Sequence, residues 1–101
     1  MKPEYGHKQI TNVETGMKSV ESIVHKKLRK SKKFGVILGW AYPDEKRIEI
    51  HEDLKGVEHL EVLIHEIMHL QKPTWAEMII RGHSKEMAKL LWEQGYRRVE
   101  L

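Results

Sequence analysis

Cysteine is absent from the 101 residues, which excludes disulfides and thiolate metal sites and leaves His, Asp and Glu as the side chains able to hold a metal. No apolar run approaches the roughly 20 residues needed to cross a bilayer, and the opening "MKPEYGHKQITNVETG" lacks the apolar segment of a secretory leader. A soluble, cytoplasmic protein without a membrane partner is expected. Repeats, low-complexity tracts and linker-like stretches are missing too. The length therefore suits one small domain with one modest core and one site. A large excess of either charge is also lacking, the formal net charge being +3.

The cations are nonetheless uneven. "HKKLRKSKK" at positions 25 to 33 gathers Lys26, Lys27, Arg29, Lys30, Lys32 and Lys33. Such a run is most often a solvated face; as a functional feature it would dock an acidic partner such as nucleic acid through phosphate contacts.

Periodicity predicts the elements. "HKQITNV" at 7 to 13 reads as a short strand between Gly6 and Gly16. Met17, Val20, Ile23, Val24 and Leu28 recur at three- and four-residue spacing, which predicts an amphipathic helix over 17 to 33, basic face outward and stopped by Gly35. Residues 34 to 52 read as a β-hairpin: "FGVILGWAY" is β-branched and aromatic, "PDEK" is turn chemistry, and "RIEIHE" alternates. Helices are expected from about 57 to 71 and about 75 to 94, separated by Pro73 and ended by Gly95. The sum is an α+β domain, with an N-terminal helix and a small antiparallel sheet packed against two further helices.

Within the first of those two helices stands His65-Glu66-Ile67-Met68-His69. Histidines four apart on a helix project side by side, about 40° apart in azimuth and roughly 6 Å apart in rise, and two imidazoles so placed can share one ion. Glu66 is expected between them in azimuth, close enough to meet a water on the ion without ligating it. Zinc lowers the pKa of such a water towards ~7, and a nearby carboxylate can then take its proton. With seven His in the chain the pattern alone is suggestive, and context must support it. It does: Leu60, Leu63, Ile64, Ile67 and Leu70 cluster on the side of the helix opposite the histidines, which should therefore face out of the core. The plain alternative is a pair of surface histidines.

Catalytic zinc usually takes a third protein ligand, and Glu77 and His83 are the candidates. Glu77 stands four residues after Pro73 and His69 four before, which sets them at similar height on antiparallel helices. It also lies on the flank of the last helix, whose apolar face (Trp75, Ala76, Ile79, Ile80, Met87, Leu90, Leu91) carries His83 near its middle. Glu77 is the favoured ligand and His83 the alternative. Each has a structural reading as well: "TWAE" fits a capping box with Thr74 as N-cap, and His83 fits a core-facing histidine held by a hydrogen bond. Trp40, Trp75 and Trp92 read as packing.

With these residues in hand the chain resembles a minimal zincin metallopeptidase of the gluzincin kind, the HExxH-plus-Glu class. The likeness rests on "RIEIHEDLKG", "LEVLIHEIMHL" and "KEMAKLLWEQGYRR", and on their similarity to small phage and bacterial HExxH proteins; it covers about residues 45 to 98. It implies a mixed sheet whose edge strand pairs with an extended peptide substrate, zinc on His65, His69 and Glu77, and Glu66 as base. A second resemblance, of "RGHSKEM" to the third-histidine segment of SprT-like proteases, would make His83 the ligand and DNA-bound proteins the substrates. For the oxyanion donor Tyr42, Tyr96 and His83 are the candidates.

Overall fold

A computed structural model describes residues 19–31 and 35–99. Five strands, β1 (Ser22–Lys26), β2 (Lys30–Ser31), β3 (Gly35–Val36), β4 (Gly39–Tyr42) and β5 (Arg47–His51), precede two helices, α1 (Gly56–Gln71) and α2 (Glu77–Glu93). The expected strand at 7 to 13 lies outside the described residues.

The α+β class expected from the pattern is what forms. β4 and β5 are the predicted hairpin, antiparallel in the register Gly39 to Ile50 and Tyr42 to Arg47. Its turn is one 3-10 turn, Pro43–Glu45, closed by Lys46 at φ +53°, a left-handed position. The alternation of "RIEIH" puts Ile48 and Ile50 wholly inside, and with Leu54 of the next loop and Leu70 of α1 they make the core. Ala41, Val62, Leu63 and Ile67 pack around it. α1 thus lies on one face of a three-stranded sheet, and α2 lies on α1.

The N-terminal helix expected over 17 to 33 does not form. Among the described residues of that span the chain is extended, and β1 pairs parallel with β5, Ile23 beside Ile48 and His25 beside Ile50. The sheet order is β1-β5-β4, a mixed sheet. The reason is physical: Val20, Ile23 and Val24 are β-branched, a poor fit to a helix and a good one to a pleated surface, and the open edge of β5 offers a ladder that an isolated helix cannot match. Spacing at three and four satisfied both readings. Gly35, expected to stop a helix, opens β3 and pairs with Ser31. Of the basic residues, Lys26 lies on β1, Lys27 and Arg29 on the exposed extended segment after it and Lys30 on β2, so no helix carries these four; Lys32 and Lys33 lie outside the described residues.

Both C-terminal helices keep their expected places within two residues. Gly95, at φ +93°, follows the last turn of α2 as a glycine stop should. The capping box weighed as the alternative role of Glu77 is absent: the N-cap is Ala76, with no side-chain cap hydrogen bond. The seam between the helices is narrower than the sequence suggests. Ile80, Ser84 and Ala88 are buried against α1, whereas Ile79, Met87 and Leu90 are 42–49 % exposed. Small side chains at four-residue spacing let the two helices close, and the Ser84 hydroxyl is satisfied by donating to the Ile80 carbonyl at 2.7 Å.

Ile50, wholly buried at the middle of this arrangement, tests the core. Ile50→Ala should cost about 2–5 kcal/mol in urea denaturation. Met78→Ala, at a position 79 % exposed, should shift stability by less than about 0.5 kcal/mol. Equal effects of the two substitutions would contradict the packing described.

Candidate metal centre

The bend over residues 72 to 76 returns the chain so that the first residue of α2 faces the last two turns of α1. Lys72 N–H caps the Met68 carbonyl at 2.7 Å and Trp75 N–H bonds the Lys72 carbonyl at 3.0 Å, which fixes the reversal. Glu77 is thereby set over both histidines. Its Oε2 lies 3.0 Å from His65 Nε2 and its Oε1 2.9 Å from His69 Nε2, and the two Nε2 atoms are 3.1 Å apart.

These three side chains form a group that could hold a metal ion, each offering one ligand atom and all ligand atoms within 4.8 Å of one another. The donor set fits. Two imidazole nitrogens and a carboxylate oxygen suit a borderline-soft divalent ion, and a tetrahedral site with bonds near 2.0–2.1 Å has edges of roughly 3.3 Å, close to the separations here. Burial, partly offset by the neighbouring Glu77 carboxylate, holds His65 below the ordinary histidine range, which keeps its ring neutral and its nitrogen available to a cation. Arg81 Nη2 lies 3.2 Å from Glu77 Oε2, one turn along α2, and orients the carboxylate from outside.

The expectation that the two histidines face away from the core holds, and Glu77 is the acidic residue beside them. Glu77 does not, however, lie on the flank of the helix as expected. At 100° per residue, Ile80, Ser84, Ala88 and Leu91 span about 80° of α2 and Glu77 falls within that sector, at the end of the seam and not on its flank. His83 is the residue set aside from the seam, by about 60°. It is exposed, not core-facing, and packs on Trp75 with ring centroids 5.0 Å apart. It does not join the His65, His69 and Glu77 group.

Glu66 also departs from its expected position. It does not sit between the histidines but about 60° beyond His69, turned under β4. Gly39 makes room for it: a Cβ there would come within 2.9 Å of both Glu66 Cγ and Val62 Cγ1. A glycine inside a strand marks such a close approach, and that is the signal the sequence offered for Gly39. Burial, then the nearby Glu77 carboxylate, raises the Glu66 pKa from 4.5 to about 7. A cleft of about 320 Å³ opens here, between the chain at Ile37–Trp40 and the α1 side chains Glu61, His65 and Glu66, with Arg81 at its rim.

None of the residues considered as oxyanion donors reaches this cleft. The Tyr42 hydroxyl lies on the other face of the sheet, 3.4 Å from Glu49, Tyr96 lines a different cavity, and His83 is against Trp75. Arg81 does reach it; its place four residues after Glu77 was the available clue.

No protein-family profile, curated protein or solved structure matches the chain.

Two outcomes follow from this geometry. Glu77→Ala should weaken zinc binding tenfold or more in a competition titration, while His83→Ala should leave it unchanged; loss of the metal in the His83 variant instead would overturn the ligand set. The second concerns Glu66 in the metal-free protein. Because its folded pKa lies above its unfolded one, the folded state keeps a proton that the unfolded state has released, and stability falls as pH rises from about 4.5 to about 7. Above that window the fold carries a half-buried charge. Glu66→Gln should therefore raise the Tm of the chelated protein by roughly 4 °C or more at pH 8 and much less at pH 5. Calorimetry of parent and variant at each pH cancels the histidine titrations they share, and an equal shift at both would refute the account.

Proposed function

We propose that the chain is a zinc-dependent peptidase of the HExxH-plus-Glu kind. One observation carries this reading: His65, His69 and Glu77 come together beside a cleft that His65 lines and whose wall also holds a half-buried carboxylate, Glu66, with a pKa near 7. His65, His69 and Glu77 would hold the zinc, which when bound supplies Lewis-acid polarisation of the scissile carbonyl and lowers the pKa of a water.

The chain's own groups account for the rest. Glu66 accepts the proton of the attacking water and passes it to the departing amine, and a carboxylate that titrates near neutrality can do both. Its position against Gly39 keeps it out of the ligand set and directed at the cleft. Arg81, at the rim and hydrogen-bonded to Glu77, places a permanent cation where the carbonyl oxygen gathers negative charge. β4 is a terminal strand of its sheet, so its outer backbone groups can pair with an extended peptide lying along the cleft. Leu38 and Trp40, 38 % and 41 % exposed, offer that peptide apolar contact.

The test is cleavage of an unstructured polypeptide, with metal content measured on the same samples. A chelator should abolish cleavage and zinc restore it. Glu66→Gln should keep zinc and lose at least about 100-fold in kcat, and Arg81→Ala should keep zinc and lose about tenfold. Cleavage that survives chelation, or full activity in Glu66→Gln, would sink the proposal. A zinc-loaded protein that cleaves nothing would instead be a metal-holding binding module.

A further inference from the structure

A second cavity, of about 460 Å³, lies away from the metal centre. Its position on α1 is set by His59, six residues before His65 and so about 240° round the helix and roughly 9 Å along it. β1, the loop into α1 and the end of α2 with the segment after it enclose the space. Its size falls within the roughly 300–1,000 Å³ of small-molecule sites.

Its chemistry is divided. Ile23, Leu54, Leu60, Leu63 and Trp92 give apolar walls, while Lys55, Arg97 and Arg98 bring three cations to the same space. Among the described residues, no acidic side chain lines it. Arg97 is built in: its guanidinium lies 3.5 Å from the centroid of the Trp92 ring, and its Nη1 donates to the Trp92 and Tyr96 carbonyls, both at 2.9 Å. The wall carries a polar pair as well. His25 Nε2 and His59 Nε2 are 2.9 Å apart, the rings nearly parallel at 19°, and His59 is only 6 % exposed. Burial and then the Arg98 charge hold His25 below the ordinary histidine range. α1 also begins beside this space, at Gly56, with no side-chain cap, so its positive end adds to the same sign.

Apolar walls under a purely cationic set of side chains suit one class of ligand. We propose that this cavity binds a free monocarboxylate with an apolar chain of moderate length, the chain against Leu60, Leu63 and Trp92 and the carboxylate towards Lys55 and Arg98. A neutral chain would gain only the walls; a small anion would gain only the charges. Nucleic acid fits poorly, because the walls beneath the cations offer its phosphates no further polar partner.

Calorimetric titration of the metal-free 101-residue chain tests this, since without metal a carboxylate has no ion to ligate. The probes are octanoate, 1-octanol, octyltrimethylammonium and acetate. Octanoate should bind at one site, at least tenfold tighter than octanol, with no saturable binding of acetate or of the ammonium compound. The double variant Lys55→Gln/Arg98→Gln should bring octanoate down to the affinity of octanol and leave octanol unchanged. Ile23→Trp, which fills a wall that is already partly exposed, should abolish both. Absence of saturable octanoate binding by the parent, equal affinity for octanoate and octanol, or unchanged octanoate affinity in the double variant would each overturn the proposal. Because no metal and no hydrolysis enters the readout, its failure leaves the peptidase reading untouched.

Discussion

Two imidazole nitrogens and a carboxylate, each about 3 Å from the others, are a constraint before they are a site. Their lone pairs cannot all point at one space unless protons or a cation lie between them. With protons, both rings donate to Glu77; with a cation, all three groups donate to it, so metal and protons compete for the same atoms. The rest of the structure serves to keep that crowding in place. α1 is fixed on the sheet by Leu70 and the side chains packed on Ile48 and Ile50, and α2 is fixed on α1 by Ile80, Ser84 and Ala88. Glu77 stands where that seam ends.

The same helix is divided among several tasks by azimuth. One side of α1 packs on the sheet, one meets α2, and the narrow strip left over bears His65 and His69. Glu66 falls at the border with the sheet, where Gly39 admits its half-buried side chain. A half-buried carboxylate of this kind opposes folding at high pH, which is the physical cost of holding a base that titrates near 7. The second cavity draws on α1 nearer its start: Leu60 and Leu63 lie roughly opposite His65 in azimuth, while His59 falls within about 20° of Glu66 and roughly 10 Å before it along the helix.

Some errors of sequence reading have a shared cause. The segment around Val20, Ile23, Val24 and Leu28 satisfies helical spacing, but a vacant edge beside β5 was available only in the assembled sheet, and the strand won. The apolar face assigned to α2 averaged over every large hydrophobic residue, whereas the actual seam is the line through Ile80, Ser84 and Ala88. Large residues such as Met87 and Leu90 stay partly in water because close helix contact selects for small side chains, and this exchanged the places expected for Glu77 and His83.

The sequence by itself determined what is local: the hairpin with its Pro43 turn, the two C-terminal helices, the stop at Gly95, and the pairing of His65 with His69, since each depends on spacing within one element or on the chemistry of one turn. It also contained Glu77 as the acidic residue in reach. Tertiary structure alone decided the parallel place of β1 beside β5, the turn of Glu66 under Gly39, the entry of Arg81 into the cleft and the meeting of His25 with His59. Those relations join residues on different elements, and no period along the chain encodes the packing that brings them together.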